Sequence, residues 1–298
     1  MDGRHWSNTA EFCALKSKKP QKNPAQTAGF FLSLNIRICA DQIPAALQKN
    51  LRHYNERMTV KSIENRNPSL TARALKWIAC LCMLADHTAK CFSLHGVSFF
   101  LLSDLIGRIT FPIFCMLLAE GFFHTHSRLR YILRIMVLAL ISELPYDLVL
   151  QGKMWDWTAQ NTCFTLLLGL LMFSLLEMVR LNQTLDYRIG AVLQISIIAL
   201  FAVFAIFVCA DYQANGIAAL AVFYYASSNR RGTTAAAACL CLNVWQFYNA
   251  GAFLSVLPLS RYSGRRGAIT RAGQYAFYLF YPMHLLLLLL IRHCMLYI

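Results

Sequence analysis

The sequence predicts an all-α protein, a polytopic bundle of about eight or nine transmembrane helices. Three observations predict it. Apolar residues make up 57% of the 298 and charged residues only 14%, against roughly half and a quarter in soluble chains. The apolar residues come in blocks near the ~20-residue length that spans a hydrocarbon core. Basic residues collect in alternate connections between the blocks, as in a chain sorted by the positive-inside rule.

The blocks run at about 70–92, 97–123, 129–150, 162–180, 188–209, 213–226, 233–259 and 274–297. Arg128, Arg130 and Arg134 follow the second, Arg180 and Arg188 flank the fourth connection, and Arg230 and Arg231 follow the sixth. The connections at 93–96, 151–161 and 209–213 hold a single lysine, Lys153. Basic loops are therefore expected in the cytoplasm, together with the N-terminus. Arg261, Arg265, Arg266 and Arg271 put the last loop on that side too, so block 233–259 must leave and return. Asn243–Gly251 supplies a polar turn for a hairpin of two short helices. The hairpin gives nine spans and an outer C-terminus; one long helix gives eight.

Residues 1–69 are polar and basic, with the run Lys16–Pro20, and are expected to be a disordered cytoplasmic segment. The patch from Ala28 to Leu34 is too short to span and is no signal peptide. Translation from Met58 is an alternative that would make residues 1–57 an extension of the reading frame. Residues 70–298 form the membrane domain. The net charge of +14 follows a topology pattern, so no nucleic-acid partner is expected; the lipid bilayer is. None of the eleven cysteines forms a C-x-x-C pair, and no metal site is expected.

Ionisable groups cost roughly 2.5 kcal/mol or more each at the centre of a bilayer, so they carry most of the functional information. Asp86 and His87 lie towards the outer end of the first block, with Lys90 one turn beyond. A histidine can take a proton from a nucleophile, and a nearby carboxylate can orient it; an interfacial histidine among headgroups is the plainer reading. Asp104 and Arg108 can pair along the second block, where Pro112 can break the backbone ladder. Glu120 and His124 repeat that spacing at its inner end.

Glu143 and Asp147 end the third block one turn apart, near the outer surface, and could share a proton or hold a cationic amine. Asp156, Asn161, Thr165 and Asp211 belong to the same layer. In the last block Tyr278, Tyr281 and His284 make one polar stripe, with His284 placed towards the inner half just past Pro282.

The strings L-K-W-I-A-C-L-C-M-L-A-D-H, G-R-I-T-F-P-I-F, E-G-F-F-H-T, I-S-E-L-P-Y-D, N-T-C-F-T-L-L-L-G and F-Y-L-F-Y-P-M-H-L, in that order over about residues 70–290, resemble the TraX family. That family is named for a conjugation protein that acetylates the N-terminus of F-type pilin, and it is similar to wider groups of membrane acyltransferases using cytoplasmic acyl-CoA. The resemblance implies acyl transfer, acetyl above all, to an amine or hydroxyl of a peptide or cell-envelope acceptor, at a bacterial cytoplasmic membrane. Asp86–His87 match the family's D-H, Arg108 the arginine of G-R-x-x-F-P, and Tyr281 and His284 the terminal Y-x-x-H.

Attack on a thioester needs a base, an oxyanion stabiliser and a path for acyl-CoA. His87 is the expected base with Asp86 orienting it, His284 the rival base, and Arg108 the stabiliser, with Tyr281 beside them. Glu143, Asp147, Asn161 and Asp211 are the expected acceptor-binding residues. Arg128, Arg130, Arg134, Arg265 and Arg266 are positioned to hold the CoA phosphates, as co-substrate rather than tightly bound cofactor. A transporter or a non-catalytic conjugation or envelope component are the alternatives.

Overall fold

Apolar blocks of this length can satisfy their backbone in lipid only by coiling, and helices they are. The structure, a computed structural model, describes residues 69–182, 184–226, 231–244, 247–268 and 270–296. The expected disordered segment, Ser69 excepted, and the alternative start at Met58 lie outside the described residues. Among the described residues every regular element is helical: α1 (Ala72–Cys91), α2 (Gly96–His124), α3 (Arg128–Tyr146), α4 (Thr162–Leu181), α5 (Tyr187–Phe207), α6 (Gln213–Tyr224), α7 (Arg231–Asn243), α8 (Val256–Ser260) and α9 (Arg271–Leu296).

Four of the described helical stretches are long and apolar enough to cross a membrane: Gly96–His124, Thr162–Leu181, Tyr187–Phe207 and Gly273–Met295. The third is the plainest. Along α5 only Gly190 and Ala205 are buried, while Val192, Ile195, Leu200, Val203 and Phe207 are exposed. A helix apolar all round with an open apolar surface belongs in lipid.

Local chemistry sets the ends. Thr71 caps α1 by accepting from the Ala74 N–H at 3.3 Å, and Asn161 caps α4 by accepting from the Cys163 N–H at 2.9 Å. The break expected in α2 at Pro112 falls one to three turns earlier. Phe100–Ile106 is a π-helix and Gly107–Ile109 a 3-10 turn, and a regular α-helix resumes at Thr110. Pro112 has no N–H to give the Arg108 carbonyl four residues earlier, and the 3-10 turn falls at that carbonyl.

Block 233–259 folds back on itself. Helix α7 is followed by a 3-10 segment, Phe247–Ser255, and α8. Arg231, which begins α7, donates to the Tyr262 carbonyl just past α8 at 2.7 Å, so both ends of the hairpin lie together. The hairpin leans on α2 through Gly251, whose added Cβ would stand 2.2 Å from the Asp104 carbonyl oxygen and 2.5 Å from that of Leu105. Those neighbours are backbone and cannot swing aside. Gly251→Ala should therefore destabilise the protein by ~1–3 kcal/mol. Gly190→Ala, where a Cβ meets nothing within 4 Å, should leave the melting temperature in detergent unchanged or raised.

The core joins α2, α4 and α6 through Phe111, Phe122, Leu170, Phe173, Leu176, Ile217 and Leu220. A Cβ at Gly169 would come within 2.5 Å of Leu220 Cδ1, which shows how closely α4 and α6 approach. Helices α1, α3 and α9 carry a second cluster around Met83, Ala139, Tyr281 and Leu285.

Candidate functional site

Helices α1 and α9 begin at the same end of the bundle. The chain between α8 and α9 runs along the start of α1, with Ser263 N–H on Leu70 O at 2.9 Å and Ala72 N–H on Arg265 O at 2.9 Å. His87 lies 15 residues into α1 (87 − 72) and His284 13 residues into α9 (284 − 271). At ~1.5 Å of rise per residue both reach roughly 20 Å in. The sequence places His284 in an inner layer and His87 in an outer one; the structure corrects this. His87 Nδ1 and His284 Nε2 are 2.7 Å apart, and each residue is 5% exposed, buried in the wall between the two helices.

Asp86 stands beside the pair with Oδ2 3.9 Å from His87 Nε2. Lys90 donates to the same oxygen at 2.8 Å, and Ser103 of α2 donates to Oδ1 at 2.5 Å. This approach depends on Gly107, where a Cβ would meet the Asp86 Cβ at 2.6 Å and its Cγ at 3.0 Å. Tyr281 completes the group, its ring centroid 6.0 Å from that of His87. Its buried hydroxyl has no hydrogen-bond partner among the described residues.

Arg108 pairs with Asp104 at 3.7 Å as its spacing suggests. It also lies within electrostatic reach of Tyr212, and it is Tyr212, not Arg108, that lines the cavity described below. The Tyr212 ring stacks on Phe111 at 4.0 Å and 9°. Its backbone is strained, with Cys209, Tyr212 and Gln213 at φ of 52°, 60° and 43°. Asp211 pins the turn: its side chain accepts from Thr162 and its carbonyl from Thr165.

The remaining expected acceptor-binding residues do something else. Glu143 accepts from the Asn161 backbone N–H at 3.2 Å and from its side-chain amide. Asp147 accepts from the Asp156 N–H at 2.9 Å. Both carboxylates thus hold the 152–161 loop against the end of α3. Asp156 caps its own turn: the Thr158 N–H and hydroxyl, then the Lys153 ammonium, hold its carboxyl down to about 2. None of Glu143, Asp147, Asn161 and Asp211 lines the cavity, although Thr162 and Cys163 beside them do.

That cavity, about 740 Å³, lies among α1, α2, α3, α4 and α9. One end is rimmed by Lys76, His124, His126, Arg134 and Arg266; the middle is walled by Phe114, Leu118, Ile135 and Leu138; the other end reaches Asp86, His87, Tyr212 and Tyr281. Of the five arginines expected to hold phosphates, Arg134 and Arg266 are at the rim. Arg128 instead pairs with buried Glu177 at 3.3 Å, and Arg130 and Arg265 are exposed outside the lining. Sequence reading passed over Lys76 and Tyr212. Lys76 reads as an ordinary residue at the start of a span, and the strain at Tyr212 leaves no mark in composition because no glycine carries it.

A family model described as TraX protein matches residues 71–292. The chain is 30% identical over 243 residues to the probable fimbrial assembly protein FimC, serogroup H1, of Dichelobacter nodosus, covering 75% of this chain and 96% of that protein. No solved structure matches it.

Proposed function

The chain belongs to the TraX family, and from that premise we propose that it is a membrane-bound acyltransferase. It takes an acyl group, acetyl in the first instance, from acyl-CoA to an amine or hydroxyl of a peptide or envelope molecule. One observation carries the reading: a single cavity joins a basic rim to a buried histidine pair. Its volume falls in the usual ~300–1,000 Å³ range of small-molecule sites. A CoA-like molecule has the matching order of parts, with phosphates at one end, a slender arm, and the reactive thioester at the other. The fimbrial role in the relative's name supports a peptide acceptor.

In this scheme Lys76, Arg134 and Arg266 bind the phosphates and the apolar walls hold the arm. The acceptor's N–H or O–H gives its proton to His87 as its lone pair attacks the thioester carbonyl carbon. Asp86 lies close enough to stabilise the resulting imidazolium. The Tyr212 O–H, polarised by Arg108, donates to the oxyanion. Collapse expels the CoA thiolate, which takes the proton back from His87. The basic rim faces the cytoplasm, the N-terminus lies on that side, and the protein sits in a bacterial cytoplasmic membrane. Nine spans then follow, the α7–α8 hairpin counting as two short ones.

Purified protein in proteoliposomes with labelled acetyl-CoA tests the reading: CoA should be released, faster when an acceptor amine is supplied. Solute flux without CoA release would replace it with a transporter. Reversing the rim, Arg134→Glu with Arg266→Glu, should raise KM for acetyl-CoA at least ~10-fold at low salt while sparing acetyl-pantetheine, which lacks the nucleotide phosphates. An equal loss with both donors would remove these arginines from phosphate binding.

A further inference from the structure

The roles of the two histidines follow from their hydrogen bonds. His284 Nδ1 is 2.7 Å from the carbonyl oxygen of Phe280, one turn earlier in α9. A carbonyl can only accept, so His284 Nδ1 carries a proton. In a neutral ring the other nitrogen, Nε2, is then a lone pair. That lone pair faces His87 Nδ1 at 2.7 Å, so His87 must supply the hydrogen there. The ring planes differ by 9° with centroids 5.0 Å apart, so the rings meet edge to edge near one plane, as an in-plane N–H···N bond requires.

We propose that His284 is a positioning residue that fixes His87 as its Nδ1–H tautomer, leaving His87 Nε2 as the lone pair that faces the reaction. His284 is then no rival base, because both its nitrogens are committed, one to a backbone carbonyl and one to His87. A proton taken from the acceptor enters at His87 Nε2, on the side where Asp86 Oδ2 lies 3.9 Å away. The charge formed spreads through the shared Nδ1–H···Nε2 bond to His284, the part that a carboxylate plays in a serine-type triad. No other group is needed for the balance: one proton enters at Nε2 and the same proton leaves to the thiolate.

The groups facing His87 are few. On its own helix they are Asp86 and Lys90, the latter already bonded to Asp86. From α2 comes Ser103, also on Asp86, and from α9 come Tyr281 and His284. An isolated imidazole in water favours the Nε2–H form, so the arrangement imposes the opposite tautomer, and it does so at a buried position.

The catalytic consequence rests on the acyltransferase reading, whereas the tautomer does not, and the experiment keeps them apart. Full-length protein with ¹⁵N-labelled histidine in bilayers should show His87 protonated at Nδ1 and bare at Nε2, with a coupling between His87 Nδ1 and His284 Nε2. In His284→Leu the His87 signal should move to the Nε2–H form. The same variant should lose ~100-fold in kcat, as typical for removal of a supporting partner, with KM for acetyl-CoA little changed. His284→Gln, whose amide oxygen can accept from His87 Nδ1–H, should recover most of that loss. A resting His87 protonated at Nε2, or full turnover in His284→Leu, overturns the proposal. If the wild-type protein releases no CoA yet shows the expected tautomer, the acyltransferase reading fails and the pairing stands.

Discussion

Replacing His87 with alanine should lower acetyl-CoA-dependent acyl transfer by ~10²–10⁴-fold, the contribution of a positioned general base. The loss should fall on kcat and leave KM for acetyl-CoA nearly intact, because the basic rim proposed to hold the phosphates lies at the other end of the cavity. Burial makes a folding artefact the first rival explanation: His87 is 5% exposed, and its removal strips His284 Nε2 of its partner. That defect should cost about 1–3 kcal/mol. His87→Gln therefore serves beside it, filling most of the volume without an imidazole. Both variants should stay monodisperse in detergent and both should be inactive. Full turnover in either would move the base elsewhere, and a common loss of folded protein would make the effect one of stability.

How far the sequence discloses this site depends on what sets each position. Helical spacing marks Tyr278, Tyr281 and His284 as one stripe, since residues three apart share a face, and the structure keeps that stripe towards the bundle interior. Depth is a different quantity. It depends on where each helix begins, and the expectation that set His87 and His284 in separate layers missed that they lie at one level. The contact with His87 joins residues 197 apart in sequence. It forms because the 261–268 segment pins the starts of α1 and α9 together through Ala72, Arg73 and Leu70. That pinning is largely backbone to backbone, joined by Ser263 Oγ on the Leu70 carbonyl at 2.8 Å and Arg73 Nη1 on that of Ala268 at 3.0 Å, side chains too ordinary in a loop to announce it.

The fold shows the same division. Helix α5 was fully legible, for a block with no charge between Arg188 and Asp211 can only be a lipid-facing helix. The irregular turns of α2 were legible in part, for Pro112 marks the 3-10 turn just before it, while the close fit of Asp104 and Leu105 against Gly251 in the π-helical stretch has no local signal. The arginines show a third case. Positive loops are explained by topology alone, so which of them also serve a ligand could not be read. Arg128 is taken by Glu177, a carboxylate 49 residues away, while Arg134 and Arg266 remain at the rim.

Tyr212→Phe should reduce kcat by ~10²–10³-fold, as loss of one oxyanion donor does, while leaving the fold and the affinity for acetyl-CoA in place. The substitution keeps the ring stacked on Phe111 at 4.0 Å and deletes only the hydroxyl. The backbone around it is the reason to expect a functional cost. Cys209, Tyr212 and Gln213 all hold positive φ, at of order 1–3 kcal/mol each for residues other than glycine. Such a turn persists only where its surroundings over-determine it, and here Thr162 and Thr165 tie down Asp211. What the strained turn delivers is one phenol to the cavity, with the Arg108 charge near it. Arg108→Lys tests that linkage. A lysine keeps the charge but lacks the planar guanidinium, so it changes both the pairing with Asp104 and the field at Tyr212. A variant weakened only through Tyr212 should show no further loss when combined with Tyr212→Phe. Additive losses would instead give Arg108 a contact of its own with the reacting thioester.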